Sequence, residues 1–258
     1  MKTFLFVIMM LFLTTNTATA ELITFFGEDI LDATENTRLH VGEHPNADGV
    51  RSEFLSDLIG VGTEDFEGPS ITTEVNGSTN TITGINFSGA GTATFTGAAQ
   101  IISLAGPDST NAGRYPISGT TYLEFLGFST VAFTEQISAF GFYGTDIGDF
   151  QGQVGLQTFL GTDPNPTNTF NITSGTGNPG NVIYFAFIDY DNPFDRIEFN
   201  NTAIGADVFG FDDFTIGTLA QVKPLEDSGT SPVPEPSTIF LVSFGLIGLG
   251  ALKRRFFH

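Results

Sequence analysis

Beyond residue 60 the chain is written in short runs rich in Thr, Val, Ile and Phe, broken every few residues by Gly, Asn, Asp or Pro. Apolar positions recurring at a period of two, between such breakers, mark β-strands with one buried face. The runs predict strands over Ile71–Val75, Thr81–Phe87, Thr92–Thr96, Gln100–Leu104, Tyr122–Phe128, Ile137–Tyr143, Gln153–Leu160, Thr169–Thr173, Val182–Asp189, Arg196–Asn200 and Phe211–Ile216. Asn76-Gly77 is a two-residue turn signal between the first two. Short strands at near-regular spacing predict an all-β fold, an antiparallel β-sandwich of jelly-roll type. The 28 phenylalanines, many alternating with Gly or polar residues, supply its filling.

One stretch has the other period. In "ADGVRSEFLSDLIG", Val50, Phe54, Leu55, Leu58 and Ile59 fall on one helical face, with Asp48 as N-cap and Gly60 as terminator. Residues 21–47 show no clear period. After Ile216 the pattern fades into a polar, Pro-containing linker. The expected organisation is therefore a leader at 1–20, an N-terminal segment with a short helix at 21–60, the β-sandwich at 61–217, a linker at 218–231 and a distinct tail at 232–258.

Both ends carry unbroken apolar runs. At the start, Lys2 precedes an apolar stretch from Phe4 to Leu13, and Ala18-Thr19-Ala20 forms an A-x-A site. That is the pattern of a secretory signal peptide, so the secretion machinery is an expected partner and Glu21 the expected first residue after cleavage. At the other end the run from Ser237 to Leu252 is followed by Lys253, Arg254 and Arg255. As a helix it reaches only about 24 Å, short of a hydrocarbon core of about 30 Å. The bases place the end of this expected transmembrane helix on the cytoplasmic side of the inner membrane.

The order Val233-Pro234-Glu235-Pro236, apolar span, Lys253-Arg254-Arg255 resembles the PEP-CTERM sorting signal of exported bacterial proteins. The resemblance implies recognition near Glu235 by an exosortase-type membrane peptidase, cleavage, and release to the cell surface or into exopolysaccharide. The two prolines keep Glu235 extended, the form a protease active site accepts. A plain C-terminal anchor is the alternative reading of the same residues.

Composition narrows the chemistry. There is no cysteine, so neither disulfides nor thiol catalysis are available. All 29 acidic residues lie between Glu21 and Glu235, against five bases there: Arg38, Arg51, Arg114, Arg196 and Lys223. That balance disfavours nucleic acid, whose phosphates would be repelled. The acids cluster in "GTEDFEG" (Glu64, Asp65, Glu67), "GTDIGDF" (Asp146, Asp149), "GFDDFTIG" (Asp212, Asp213) and "IDYDNPFDR" (Asp189, Asp191, Asp195). Acidic, glycine-rich loops supply the carboxylate and carbonyl oxygens that calcium takes, so a structural calcium held by the first three groups is an expectation. The other reading is that these acids cap turns. First and last strands of a jelly roll lie together, which would bring Glu64, Asp65 or Glu67 to Asp212 or Asp213.

No nucleophile elbow, zinc-protease helix, phosphate loop or dinucleotide fingerprint occurs, and a non-catalytic protein is expected. His40 and His44 in "HVGEH" are read as loop residues because Gly42 and Pro45 interrupt a helix. Two functions lead, a structural protein of surface or matrix and a glycan-binding module, with a glycoside-active enzyme, which needs only two carboxylates, as a further alternative. With no tryptophan, the second would draw its aromatic planes from Tyr115, Tyr122, Tyr143, Tyr184 or Tyr190.

Overall fold

The structure is a computed structural model and describes residues 21–30, 38–40, 42–106, 108–148, 153–174, 180–202 and 207–225. The signal sequence and the sorting tail lie outside the described residues. Among the described residues no helix is long and apolar enough to cross a membrane. Two compact units divide at Lys223, and the first carries the whole described β-structure.

Strand β1 (Leu22–Asp29) is followed by helix α1 (Pro45–Ser56) and the short β2 (Thr63–Glu64). Then come β3 (Thr72–Asn76), β4 (Thr79–Phe87), β5 (Gly91–Ser103), β6 (Thr121–Ile137), β7 (Ala139–Thr145) and β8 (Val154–Phe159). The last four are β9 (Asn168–Ile172), β10 (Val182–Asp189), β11 (Phe194–Asn201) and β12 (Phe209–Gly217). All pairings are antiparallel, so the all-β antiparallel expectation holds.

The hinge of the architecture is β6. Its Leu123–Phe125 stretch pairs with β12, whereas Ser129–Ile137 pairs with β11. β5 follows it along both stretches and shifts register between Gly97 and Ala99. Gly97 has φ +135, and a Cβ there would lie 2.5 Å from the Phe128 carbonyl oxygen, so this close crossing needs glycine. One layer then runs β1-β10-β7-β12-β6, and the other continues from β6 through β11-β8-β9 on one side and β5-β4-β3 on the other.

Phenylalanine joins the layers. Phe214 and Phe140 from the first meet Phe95 at 5.8 Å and Phe199 at 6.2 Å from the second, ring centre to ring centre. Each fully buried Phe contributes about 1.5–3 kcal/mol. The first layer is covered on its outer side too. On β10, Ile183, Phe185 and Phe187 face the inter-layer core, while Val182, Tyr184, Ala186 and Ile188 face a second cluster with Phe54 and Leu58. That double burial explains the unbroken apolar run of β10.

The helix begins earlier than the sequence pattern predicts, at Pro45 with His44 as N-cap, and ends at Ser56. Its exposed first turn is satisfied from another element: Asp29 of β1 accepts the N–H groups of Asn46 and Ala47 at 3.2 and 2.8 Å. Pro45, whose missing N–H needs no acceptor, opens the helix. Asp48 therefore sits in the first turn instead of capping it. Ile59 lies beyond the helix and is exposed, while Leu58 bridges to Val222.

Other boundaries moved for similar reasons. Thr92–Thr96 and Gln100–Leu104 are one strand, β5, and β6 runs on to Ile137 through polar positions whose side chains are exposed. The Asn76-Gly77 hairpin is present with its turn one residue on: Asn76 pairs with Thr79, and Gly77 (φ +67) and Ser78 form the loop.

Candidate functional site

Three of the predicted acidic residues, Glu67, Asp212 and Asp213, converge on one loop. β2 pairs with the end of β12, placing Glu64 opposite Phe214. β12 carries a bulge between Asp212 and Thr215, where Asp213 takes a left-handed backbone (φ 52). The bulge turns both aspartates toward residues 117–121. Asp212 Oδ2 accepts the N–H groups of Ile117 and Ser118 at 2.7 and 2.9 Å, and its Oδ1 accepts the Asp213 N–H at 2.7 Å. Asp213 accepts the Ser118 hydroxyl at 2.6 Å. From the other side, Glu67 Oε1 accepts the N–H groups of Thr120 and Thr121 at 2.6 and 2.5 Å. Gly119, between them, has φ +58, and a Cβ there would crowd the Glu67 carboxylate. Glu64 and Asp65 turn back on their own loop, accepting the Phe66 and Glu67 N–H groups.

Burial shapes the electrostatics. Asp212 is 1% exposed, and burial, with the adjacent Asp213, pushes its carboxyl well above the usual carboxylate range against the pull of its N–H donors. Burial raises Asp213 as well, opposed by Ser118 and Arg51. Glu64 is raised by burial.

The network continues into α1. Arg51 lies 3.8 Å from Asp213 and stacks over the Tyr143 ring at 5.8 Å. The Tyr143 hydroxyl donates to Asp48 at 2.6 Å, and His44 Nδ1 lies 2.8 Å from the same oxygen. Burial and Asp48 push the Tyr143 hydroxyl up. His44 is buried, not solvated as its loop sequence suggests, because the N-cap position turns its ring inward beside Tyr143. His40 stays half exposed and lies 3.6 Å from Asp108.

Asp146 belongs to a different cluster. Arg114 reaches Glu124 at 2.7 Å through Nε and Asp146 at 3.2 Å through Nη1, and Gln100 donates to Glu124 at 2.8 Å. Asp149 lies outside the described residues. Asp189 holds the turn after β10 by accepting the Asp191 and Asn192 N–H groups, and Asp195 accepts the Gly161 N–H. Among the described residues no group of three or more His, Asp or Glu side chains is placed to hold a metal ion. Calcium takes six to eight oxygens, and a set of carboxylates each facing N–H and O–H donors fits it poorly.

The tyrosines do not form a platform. Tyr115, Tyr122, Tyr143 and Tyr184 are buried, and burial pushes the Tyr122 hydroxyl up to about 12. Tyr190 is half-buried, with its hydroxyl donating to the Lys223 carbonyl. Among the described residues the exposed Phe and Tyr rings are Phe26 and Phe128, which the sequence pattern assigns to no site.

Among the described residues these acids fasten loops and turns, and the clearest functional signal is in the tail. A family model for the PEP-CTERM protein-sorting motif matches residues 232–255. The chain carries a PEP-CTERM sorting motif. The matched span takes in Val233, Pro234, Glu235 and Pro236 at one end and Lys253, Arg254 and Arg255 at the other. A PEP-CTERM motif marks an exported protein that passes the membrane for sorting, and it implies processing by an exosortase, a membrane peptidase.

No curated protein matches the PEP-CTERM chain. Among solved structures, the K2 cleaved adhesin domain of Lys-gingipain is 13% identical, covering 61% of this chain and 98% of that one, with a TM-score of 0.37. A variant of a family 29 carbohydrate-binding module is 16% identical over 67% of this chain and 89% of its own, with a TM-score of 0.24. A carbohydrate-binding module solved with β-1,4-galactotriose is 10% identical over 47% and 82%, with a TM-score of 0.20.

Proposed function

We propose that this protein is an exported, non-catalytic component of the cell surface or extracellular matrix, delivered by its PEP-CTERM tail. The observation that carries the reading is the motif match at residues 232–255. Export begins at the signal peptide, with cleavage after Ala20. The apolar run from Ser237 then holds the chain in the inner membrane with Lys253, Arg254 and Arg255 on the cytoplasmic side. An exosortase cuts near Glu235 and frees the acidic body, a jelly-roll-like sandwich. The role of the body is supported by what its polar groups do: Glu67, Asp212 and Asp213 fasten one loop, and Glu124 and Asp146 flank Arg114. Association with exopolysaccharide belongs to this reading without a tyrosine platform.

The experiment is Glu235→Ala in the producing cell, following the protein by fractionation and mass. The expected result is an uncleaved form that accumulates in the membrane fraction. Normal release of a shortened chain would end the sorting-and-cleavage reading.

A further inference from the structure

Glu21 is the residue that signal-peptide removal would leave first in the chain. It extends the β1–β10 ladder by one step, its carbonyl accepting the Tyr190 N–H at 3.2 Å. Its own nitrogen donates to Asp191 Oδ2 at 3.0 Å. Asp191 is set in place beforehand: its N–H is held by Asp189 Oδ1 at 3.1 Å, Asp189 Oδ2 accepts Asn168 at 2.7 Å, and Pro193 closes the turn. As an amide in the uncleaved chain, the Glu21 nitrogen makes one neutral-donor bond here. As a free ammonium it makes a charge-assisted one, shorter and about twice as strong.

The same turn receives the other end of the body. The Tyr190 hydroxyl donates to the Lys223 carbonyl at 3.2 Å, and the Lys223 N–H donates to Asp57 at the end of α1 at 2.8 Å. The Lys223 ammonium donates to the Ser56 carbonyl. Glu21 and Lys223 therefore meet at Tyr190-Asp191, in the turn after β10 and beside the start of the edge strand β1. The charged groups around the Glu21 nitrogen are Asp191, its own side chain, and, across Tyr190, Asp57 and Lys223.

We propose that removal of the signal peptide creates an N-terminal ammonium site at Asp191, an ion pair that fastens the start of β1 to the turn after β10 only in the processed protein. The proposal rests on cleavage after Ala20, and its test separates the two. Both buried clusters lie within residues 39–222, so residues 21–225 hold the whole described core and are expected to fold on their own. This domain is prepared beginning at Glu21, and with Gly-Ser placed before Glu21, each with Asp191 and with Asp191→Asn. Asn keeps a neutral acceptor, so only the charge is lost. In the form beginning at Glu21, Asp191→Asn is expected to lower Tm by about 1–3 °C, the scale of an exposed ion pair in a domain of this size. The extended form is expected to be unmoved, and acylation of the α-amino group near neutral pH to be several-fold faster in the Asn variant. Equal Tm losses in both forms with unchanged acylation would overturn the ion pair. The mass of the exported protein reports the premise separately: a mature start other than Glu21 overturns the proposal whatever the stability cycle gives.

Discussion

Asp212 and Glu67 hold opposite ends of one loop: Asp212 takes the N–H groups of Ile117 and Ser118, and Glu67 those of Thr120 and Thr121. Four consecutive-region donors that no strand satisfies thus find carboxylates from β12 and from the segment after β2. A buried donor without an acceptor costs about 1–3 kcal/mol. Asp212→Ala strips acceptors from Ile117, Ser118 and Asp213 together, so a loss of about 3 kcal/mol is expected. Urea unfolding measures it. A change below about 1 kcal/mol, the size of an ordinary surface substitution, would mean that water replaces the carboxylate and that the loop is not held as described.

The raised carboxyls of Asp212 and Asp213 give stability a pH dependence of defined sign. Between the ordinary aspartate value, about 3.9, and the higher values of the folded state, the native protein binds more protons than the unfolded chain. Stability therefore falls as pH rises through that window. Repulsion among the many acids acts in the same direction, so the variant comparison isolates the pair. Asp213→Asn, which tolerates the left-handed backbone at that position, removes one of the two titrating groups. The expected outcome is a shallower fall of Tm with pH above 4 in the variant than in the parent. Parallel curves would show that the pair titrates alike in the folded and unfolded chain.

The strands that the sequence pattern predicts best are those whose partners matter least to their own composition. β10 matches its predicted bounds because burial on both faces makes Val182–Ile188 an unbroken apolar and aromatic run, ended by Asp189. β1 escapes prediction because "LITFFGED" lacks alternation, and its strand character comes from pairing with β10, far along the chain. The long second half of β6 is hidden by exposed Thr134, Glu135 and Gln136. At the site, the Glu67 segment is expected beside Asp212–Asp213, but the pairing that brings it there is that of the unpredicted β2 with β12, while the first strand, β1, pairs with β10. What these carboxylates bind is not legible, because backbone N–H groups leave no mark in side-chain sequence. Nor is His44, whose burial depends on a helix start set by Asp29.

Gly141 marks where α1 settles on the first layer. A Cβ at this position would lie 2.6 Å from the Tyr184 hydroxyl, 2.8 Å from the Ala186 Cβ and 2.9 Å from a Phe54 ring carbon. None is the end of a flexible chain, and Phe54 is held by Phe25 and Tyr184. Gly141→Ala is expected to destabilise by about 1–3 kcal/mol, as overpacking does. Phe54→Leu in the same chain makes room and should recover part of the loss. Additive losses for the pair would show that the helix does not rest on Gly141.

Calcium offers the last test, because the acidic composition and the geometry point in different directions. A site saturated a hundredfold above its Kd adds about 2.7 kcal/mol of stability, several degrees in Tm for a domain of about 200 residues. The carboxylates of Asp212, Asp213 and Glu67 each already face N–H or O–H donors, and a cation would have to displace those hydrogens and break the loop. Residues 21–225 are therefore expected to melt at the same temperature in millimolar calcium and in chelator, followed by circular dichroism. A rise of several degrees with calcium, lost in Asp213→Asn, would instead assign these carboxylates to a metal and remove the loop-fastening role from them.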